Sequence, residues 1–182
     1  MNLNEYKILK LLNDSRKPLF FRKISRESKV SIGGTQQVLK DYSFFIDKKE
    51  EGRNTYYFLK DNPETKYLRM MIEIKKTQEF LSKNKLLKEF FQYFLKNNIH
   101  ALVFGSYAKE NINKKSDLDL LVLSDKKVPE HLCPKELHLV KMSRKEFEKA
   151  CKNKETLIKE IIDSHIIING FNYFTNWFNK NE

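Results

Sequence analysis

The hydrophobic positions of the first 61 residues recur at helical spacing in three segments and at strand spacing in the two that follow. NEYKILKLLND, FFRKISRESKV and SIGGTQQVLKDY each carry apolar residues at the three- and four-residue intervals of an amphipathic helix. In the third segment Ser31 is the expected N-cap, and the expected inward residues are Thr35, Val38, Leu39 and Tyr42. SFFIDKKEEGRNTYYFLK then shows two β-rich runs around a charged turn that contains glycine, which predicts a hairpin.

This order of elements resembles a winged helix-turn-helix domain covering residues 1–61. The resemblance implies DNA binding through the outward side of the third helix and through the hairpin. The residues expected to meet DNA are Gly33, Gln36, Gln37, Lys40 and Arg53. Glu50 and Glu51 lie in the same turn as Arg53 and would repel phosphate. Helix-turn-helix segments also serve purely structural roles or form dimer surfaces, so DNA binding is one of several interpretations.

A boundary follows at DNPETK, where Asn62 is a suitable helix cap and Pro63 suits the first helical turn. Residues 62–84 therefore predict a helical connector. The residues expected to be available for its packing are Leu68, Met71, Ile72, Ile74 and Leu81. KLLKEFFQYFLKNN is more strongly amphipathic, and it predicts the first helix of a second domain over residues 85–182.

The stretch ALVFGSYAKENINKKSDLDLLVLSD, residues 101–125, carries the chemistry of the second domain. ALVF predicts a buried strand that ends at Gly105, because glycine permits a sharp exit and a close approach of the backbone. The amides of Gly105 and Ser106 would then lie at the start of a short helix, SYAKEN, and the Ser106 hydroxyl adds a further donor. Such donors at a helix N-terminus favour a phosphate group.

Two aspartates follow at the start of the next predicted strand, DLDLLVL. Asp117 and Asp119 alternate with Leu118 and Leu120, so the period of a strand sends both carboxylates to one face and both leucines into the core. Two carboxylates on one face favour a hard divalent cation such as Mg²⁺, which completes its coordination with water and substrate phosphates. A phosphate site next to a Mg²⁺ site indicates nucleotidyl transfer.

The combination of Gly-Ser, ten residues and Asp-x-Asp after an apolar strand resembles the signature of the DNA polymerase β-like nucleotidyltransferases, especially their minimal prokaryotic branch. The resemblance implies a mixed sheet with flanking helices, and therefore an α+β chain of two domains. It also implies that Gly105 and Ser106 bind the phosphates of an NTP, expected to be ATP, and that Asp117 and Asp119 bind Mg²⁺ or Mn²⁺. Minimal members of this family are antitoxins that transfer AMP to partner toxins, and other relatives modify antibiotics or RNA ends.

Catalysis in this family usually requires a third carboxylate on a later strand, and the resemblance places the equivalent position at His138 in KELHLVKMS. Glu136 lies two residues earlier on the same face, so its longer side chain is the candidate substitute. An exposed glutamate at a strand end is, however, the ordinary explanation of such a residue.

Two functions therefore compete. In the first, the chain transfers NMP to a hydroxyl of a nucleic acid or of a protein, such as a toxin partner. In the second, it is a DNA-binding regulator whose catalytically degenerate second domain senses nucleotide. Turnover of an NTP separates the two functions.

Composition changes this picture little. The chain of 182 residues carries a net charge of +11, of which residues 1–61 contribute +5 and the remainder +6, so the excess favours a polyanionic partner only weakly. No apolar run approaches the ~18 residues of a membrane span. The two cysteines form no C-x-x-C pair, which favours a reducing, cytoplasmic location. The oligomeric state stays open, with a dimer as one option.

Two further clusters have simple explanations. His131, Cys133 and His138 lack a recognised zinc-ligand spacing, so local packing is the favoured interpretation. HIIINGFNYFTNWFNK predicts a strand, an Asn-Gly turn and an aromatic helix. Its phenylalanines at helical spacing are expected in the core rather than on a surface that stacks bases, and they are Phe171, Phe174 and Phe178.

Overall fold

The computed structural model describes residues 1–15, 17–109, 111 and 116–180. The chain divides into two compact units, Met1–Ile72 and Glu73–Glu182. The division falls inside the segment predicted as a helical connector. Each unit has its own hydrophobic core.

Within its described residues the first unit contains three complete helices, the beginning of a fourth and a small antiparallel sheet. Its elements are α1 (Leu3–Asp14), β1 (Leu19–Phe20), α2 (Phe21–Ser28), α3 (Ile32–Asp41), β2 (Ile46–Glu51) and β3 (Asn54–Leu59). The sheet order is β1-β3-β2, and both pairings are antiparallel. The three helices and the hairpin occur where the hydrophobic pattern predicts them. Assignment of the unit to the winged helix class remains a prediction.

Side-chain caps explain where α1 and α3 begin. The Asn2 side chain accepts the N–H groups of Asn4 and Glu5 at 2.9 and 3.0 Å, while Glu5 accepts the Asn2 N–H at 2.6 Å. Ser31 accepts the N–H of Gly34 at 3.2 Å, as its sequence position predicts. The apolar sides of all three helices meet in a core in which Ile8, Leu9 and Ile24 are fully buried, together with Ile72 of the following helix.

The connector is one continuous helix, α4 (Pro63–Lys83), and Asn62 caps it by accepting the Thr65 N–H at 2.8 Å. Leu68 and Ile72 are buried in the first unit, as predicted. The prediction that Met71 and Ile74 are available for packing is wrong, because both side chains are exposed. In the second unit the buried positions of α4 include polar residues, namely Glu73, Lys76 and Thr77. Glu73 pairs with Lys76, and Thr77 donates to the backbone, so apolar character alone does not identify all the buried positions of this helix.

The second unit combines a mixed sheet with flanking helices, which confirms the predicted α+β class. Its elements after α4 are a 3₁₀ turn (Lys85–Leu87), α5 (Lys88–Lys96), β4 (His100–Phe104), α6 (Gly105–Ala108), β5 (Leu118–Leu123), a second 3₁₀ turn (Glu130–Leu132), β6 (Leu137–Met142), α7 (Arg144–Lys152), α8 (Thr156–Asp163), β7 (Ile166–Asn169) and α9 (Phe171–Lys180). The order of strands is β6-β5-β4-β7, in which β5 and β6 are parallel and the other pairs antiparallel. None of the helices in the described ranges is long and apolar enough to cross a membrane.

Alternation along β5 divides the core between the two faces of this sheet. Leu118, Leu120 and Val122 belong to a cluster with the phenylalanines of α5. Leu121 and Leu123 belong to a second cluster with residues of α7, α8 and α9, including the buried Phe174 and Phe178. The expectation that the C-terminal aromatic helix packs in the core is therefore confirmed for these two residues. Asp119 lies two residues before Leu121, so its side chain points to the same face of the sheet as Leu121, near the start of β5.

Candidate functional site

The predicted site lies where β4 ends and β5 begins. The register of the sheet pairs Phe104 with Asp119 across the antiparallel strands and Asp119 with His138 across the parallel ones. Gly105 follows Phe104 directly, so the glycine turn, the aspartate and the histidine come from three adjacent strands. The sheet therefore brings together residues that lie up to 33 positions apart in the chain.

Gly105 and Asp119 are in close contact. Gly105 has φ +66°, a left-handed conformation that side chains with a Cβ atom rarely adopt. A Cβ atom at this position would lie 2.8 Å from Cγ of Asp119 and would overlap its carboxylate oxygen Oδ2. Both the backbone conformation and the neighbouring carboxylate thus require glycine. The sequence predicts a close approach to the backbone at Gly105 but does not predict which residue approaches it. In the structure that residue is Asp119.

The helix after the glycine is shorter than predicted. α6 comprises Gly105–Ala108, and its last turn closes where the Lys109 N–H donates to the Gly105 carbonyl at 3.1 Å. The predicted segment extends to Asn111 and includes Glu110, which lies outside the described residues. A helix of one turn has little macrodipole. The predicted phosphate site therefore depends on the first amides, the Ser106 hydroxyl and nearby cations.

His138 occupies the position where the family resemblance predicts a third carboxylate, and its Nδ1 lies 2.8 Å from Oδ1 of Asp119. The imidazole is exposed, while Asp119 is partly buried. Glu136, the candidate substitute, is exposed and immediately precedes β6. Its carbonyl accepts the Leu118 N–H at 2.8 Å, so its backbone helps to align β5 with β6. Of these two residues, His138 is therefore the one that forms a hydrogen bond with Asp119.

Asp117 lies one residue before β5 and is exposed. Strand alternation therefore fixes the direction of Asp119 but not that of Asp117, and the shared face of the two carboxylates remains a prediction. Burial raises the pKa of the Tyr107 hydroxyl, and the charges of Cys133 and Asp117 raise it further. Because solvent and salt screen the interaction between more distant charges, this effect indicates that Asp117 lies near α6.

Lys109 and Glu160 form part of the same region, although the sequence gives no indication of either. The Lys109 ammonium donates to Oε1 of Glu160 on α8 at 2.9 Å. This hydrogen bond is the main cause of the raised pKa of Lys109, to which the charges of Asp163 and Asp119 also contribute. The two residues are 51 positions apart, so no local pattern could have identified the pair.

The residues predicted to meet DNA are exposed in the first unit. Gln36, Gln37 and Lys40 all lie on the outward side of α3, and Arg53 lies in the turn between β2 and β3. Each of these two surfaces also carries a carboxylate. On α3, Asp41 accepts a hydrogen bond from the side-chain amide of Gln37 at 2.8 Å. On β2, Glu51 forms an ion pair with Lys49 at 2.6 Å. A Cβ atom at Gly33 would meet nothing within 4 Å among the described residues, so the start of α3 is open.

Comparison with known families agrees with the geometry of the second unit. The family described as nucleotidyltransferase domain matches residues 83–182, which is more than half of the chain. The chain belongs to this family. No significant match was found among curated proteins or among solved structures. A nucleotidyltransferase domain implies an NTP substrate and generally uses divalent metal ions.

The donor set of this nucleotidyltransferase domain fits a metal ion bound largely through its substrate. Within the ranges that the structure describes, no group of three or more His, Cys, Asp or Glu side chains is placed to hold a metal ion. His131, Cys133 and His138 are among the described residues for which no such group is found. Mg²⁺ commonly takes only one or two protein carboxylates and receives its other ligands from phosphates and water. Asp117 and Asp119, the predicted ligands, match that number of carboxylates.

Proposed function

We propose that the chain transfers NMP from a Mg²⁺-bound NTP, expected to be ATP, to a hydroxyl of a protein or nucleic acid acceptor. The acceptor oxygen attacks the α-phosphorus, and the bond from that phosphorus to the bridging oxygen breaks. Pyrophosphate leaves, and the proton of the attacking hydroxyl passes to a base, for which Glu136 is the proposed candidate. Family membership supports the reaction type, and the acceptor is part of the proposal.

The observation that carries this proposal is the contact between Gly105 and Asp119. In our proposal the amides of Gly105 and Ser106 bind the phosphates, and Asp119 together with Asp117 holds Mg²⁺ or Mn²⁺ against them. The bound ion would neutralise charge on the phosphates and so favour displacement at the α-phosphorus. The left-handed turn places Gly105 against the Asp119 carboxylate, which supports a single site for the phosphates and the ion.

Metal-dependent nucleotide binding tests the site directly. Calorimetry should show that ATP binds more tightly with Mg²⁺ than without it, and the double variant Asp117→Asn, Asp119→Asn should lose that dependence. Asp125→Asn is a suitable control for each substitution, because it removes one carboxylate charge just beyond the opposite end of β5. Equal metal-dependent affinity in the double variant and the wild type would show that the site lies elsewhere.

Turnover tests the proposed third carboxylate. Incubation of radiolabelled NTPs with Mg²⁺ or Mn²⁺ and candidate acceptors should label an acceptor. Glu136→Gln should abolish transfer and leave ATP affinity unchanged, because the proposed role of Glu136 concerns the reaction rather than binding. Labelling that survives in Glu136→Gln would exclude this residue from catalysis.

A second function is favoured by the hydrogen bond between His138 and Asp119. An imidazole at this position supplies one negative charge fewer than a carboxylate, which weakens the site for catalysis but not for nucleotide binding. The chain would then be a DNA-binding regulator that senses nucleotide. ATP binding without labelling of any acceptor supports this alternative, and efficient labelling excludes it.

Both functions include DNA binding by the first unit as a proposal of our own. It is supported by the exposed polar side of α3 and by Arg53 at the hairpin turn. Affinity for DNA from the protein's own promoter should fall steeply with salt, because phosphate contacts release counterions. The triple variant Gln36→Ala, Gln37→Ala, Lys40→Ala should bind less tightly than Lys10→Met, which loses a cation of α1 that is already paired with Asp14. Equal binding by the triple variant would exclude α3 as the recognition helix.

A further inference from the structure

Helix α7 carries three lysines on its outer side. Lys145, Lys149 and Lys152 follow one another at intervals of four and three residues, which places them on one side of the helix, and all three are exposed. The other side of α7 is buried through Phe147 and Ala150, in the core cluster that covers one face of the sheet. Lys145, Lys149 and Lys152, the lysine row, therefore belong to a helix whose opposite side is fixed in the core.

The two carboxylates of α7 bind partners within the protein. Glu146 accepts the Ser143 N–H at 2.7 Å as part of a capping box. Glu148 accepts a hydrogen bond from the Tyr173 hydroxyl at 3.2 Å. None of the ion pairs found among the described residues involves a member of the lysine row. The row therefore presents its positive charge to partners outside this chain.

Stabilisation of the helix does not explain the whole row. Lys149 and Lys152 lie in the last turn of α7, where a cation interacts favourably with the helix dipole. Lys145 lies in the first turn, where the same dipole disfavours a cation. Because the row includes this unfavourable position, an external anion explains it better than the dipole does.

The length of the row matches a short run of phosphates. The seven residues from Lys145 to Lys152 span about 10.5 Å along a helix that rises 1.5 Å per residue. One strand of a nucleic acid duplex carries a phosphate about every 3.4 Å along the axis, so about three phosphates lie within this length. A duplex thus offers three anions in a fixed row to three cations on a fixed helix, whereas a flexible acidic peptide presents no such row.

We infer that the lysine row binds the phosphates of one strand of a nucleic acid duplex. The contact does not depend on base sequence, because it is made to the backbone rather than to base edges. The row lies in the second unit, so this contact is additional to the DNA binding that we propose for α3. It also requires neither a bound NTP nor a metal ion.

The salt dependence of DNA binding by the full chain tests this inference. Fluorescence anisotropy with a labelled DNA duplex of arbitrary sequence gives the affinity over a series of salt concentrations. The triple variant Lys145→Gln, Lys149→Gln, Lys152→Gln should reduce the slope of log affinity against log salt by about 2–3, since each lost phosphate contact removes about 0.9. Its affinity at about 0.1 M salt should fall at least tenfold. Lys145→Arg, Lys149→Arg, Lys152→Arg should retain both the slope and the affinity, because the charges are kept.

A matched control removes three lysines from the other face of the sheet. Lys85→Gln, Lys88→Gln, Lys96→Gln takes the same charge from exposed positions in the first 3₁₀ turn and in α5. α5 and α7 lie on opposite faces of the sheet, because their core clusters contain alternate residues of β5. This control should change the slope by less than about 1. Thermal unfolding of each variant checks that the fold is retained.

The change in slope should persist when Gln36→Ala, Gln37→Ala, Lys40→Ala is added, because the lysine row acts independently of α3. Polyglutamate of equal total charge should displace the labelled duplex much less well than unlabelled duplex does. The inference is overturned if the folded row variant keeps the wild-type slope, if the control lowers the slope as much, or if the effect vanishes in the α3 variant. Equal competition by polyglutamate also overturns it and assigns the row to an acidic protein. Failure of the wild type to bind the duplex overturns this inference and DNA binding by α3, but not the proposed nucleotidyl transfer.

Discussion

Substitution of Gly105 by alanine should disturb Asp119 as well as the backbone. Gly105 has φ +66°, and the added Cβ atom would lie 2.8 Å from Cγ and 3.2 Å from Cβ of Asp119. A carbon–carbon contact of this length cannot persist, so the aspartate must move. In moving, it leaves its hydrogen bond to His138. One methyl group at residue 105 should thus change the geometry of a residue 14 positions later.

The expected loss of stability has two parts. A non-glycine residue in the left-handed region costs about 1–2 kcal/mol. Loss of the hydrogen bond between Asp119 and His138 costs about 1 kcal/mol more. Gly105→Ala should therefore lower the free energy of unfolding by about 2–3 kcal/mol. Lys154 provides a reference for the backbone cost in the same unit, because it also has a left-handed conformation, φ +52°, and its side chain is exposed. Lys154→Gly should raise stability by at most about 1 kcal/mol.

Chemical denaturation followed by the fluorescence of Trp177, the single tryptophan, measures both variants. In the Asp119→Ala background, Gly105→Ala should cost only the backbone part, about 1–2 kcal/mol, since the carboxylate is gone. Calorimetry without denaturant should show about tenfold weaker binding of Mg²⁺-ATP to Gly105→Ala. If Gly105→Ala costs the same with and without the Asp119 carboxylate, and ATP affinity is unchanged, the carboxylate does not lie against the glycine.

Three other predictions concern the buried charges and the histidine. Glu73 and Lys76 form a buried pair at 3.1 Å, so Lys76→Met should lower the free energy of unfolding by about 3 kcal/mol in chemical denaturation, and adding Glu73→Gln should recover part of that loss. Burial alone would raise the pKa of Glu73, but Lys76 and His165 lower it from 4.5 to about 2. The stabilising contribution of the Glu73 carboxylate is therefore complete above pH 4.5 and is lost as the pH falls to 2. Between these pH values the free energy of unfolding should depend less steeply on pH in Glu73→Gln than in the wild type. His138→Asp should bind Mn²⁺ more tightly by electron paramagnetic resonance and raise turnover at least tenfold, whereas an unchanged Mn²⁺ affinity would show that residue 138 does not face the ion.

Local periodicity in the sequence determines most of the secondary structure of this chain. The three helices before the hairpin, the buried strand before Gly105 and the aromatic C-terminal helix all occur where apolar spacing predicts them. Caps such as Ser31 and Asn62 are equally local, since a helix cap and the amide it accepts lie within three residues of each other. The Gly-Ser and Asp-x-Asp combination is also local, and it identifies the family without any knowledge of the packing.

Only the tertiary structure decides which side chains meet. His138 contacts Asp119 because β5 and β6 run parallel in a register that pairs these two positions. The polar side of α4 is buried in the second unit because Glu73 and Lys76 pair with each other and His165 approaches Glu73 at 3.4 Å. Periodicity indicates the direction of a side chain only within its own helix or strand. Strand register depends on contacts between segments that lie far apart in the sequence. The free energy of burying a charge likewise depends on its partner, and no local pattern identifies that partner.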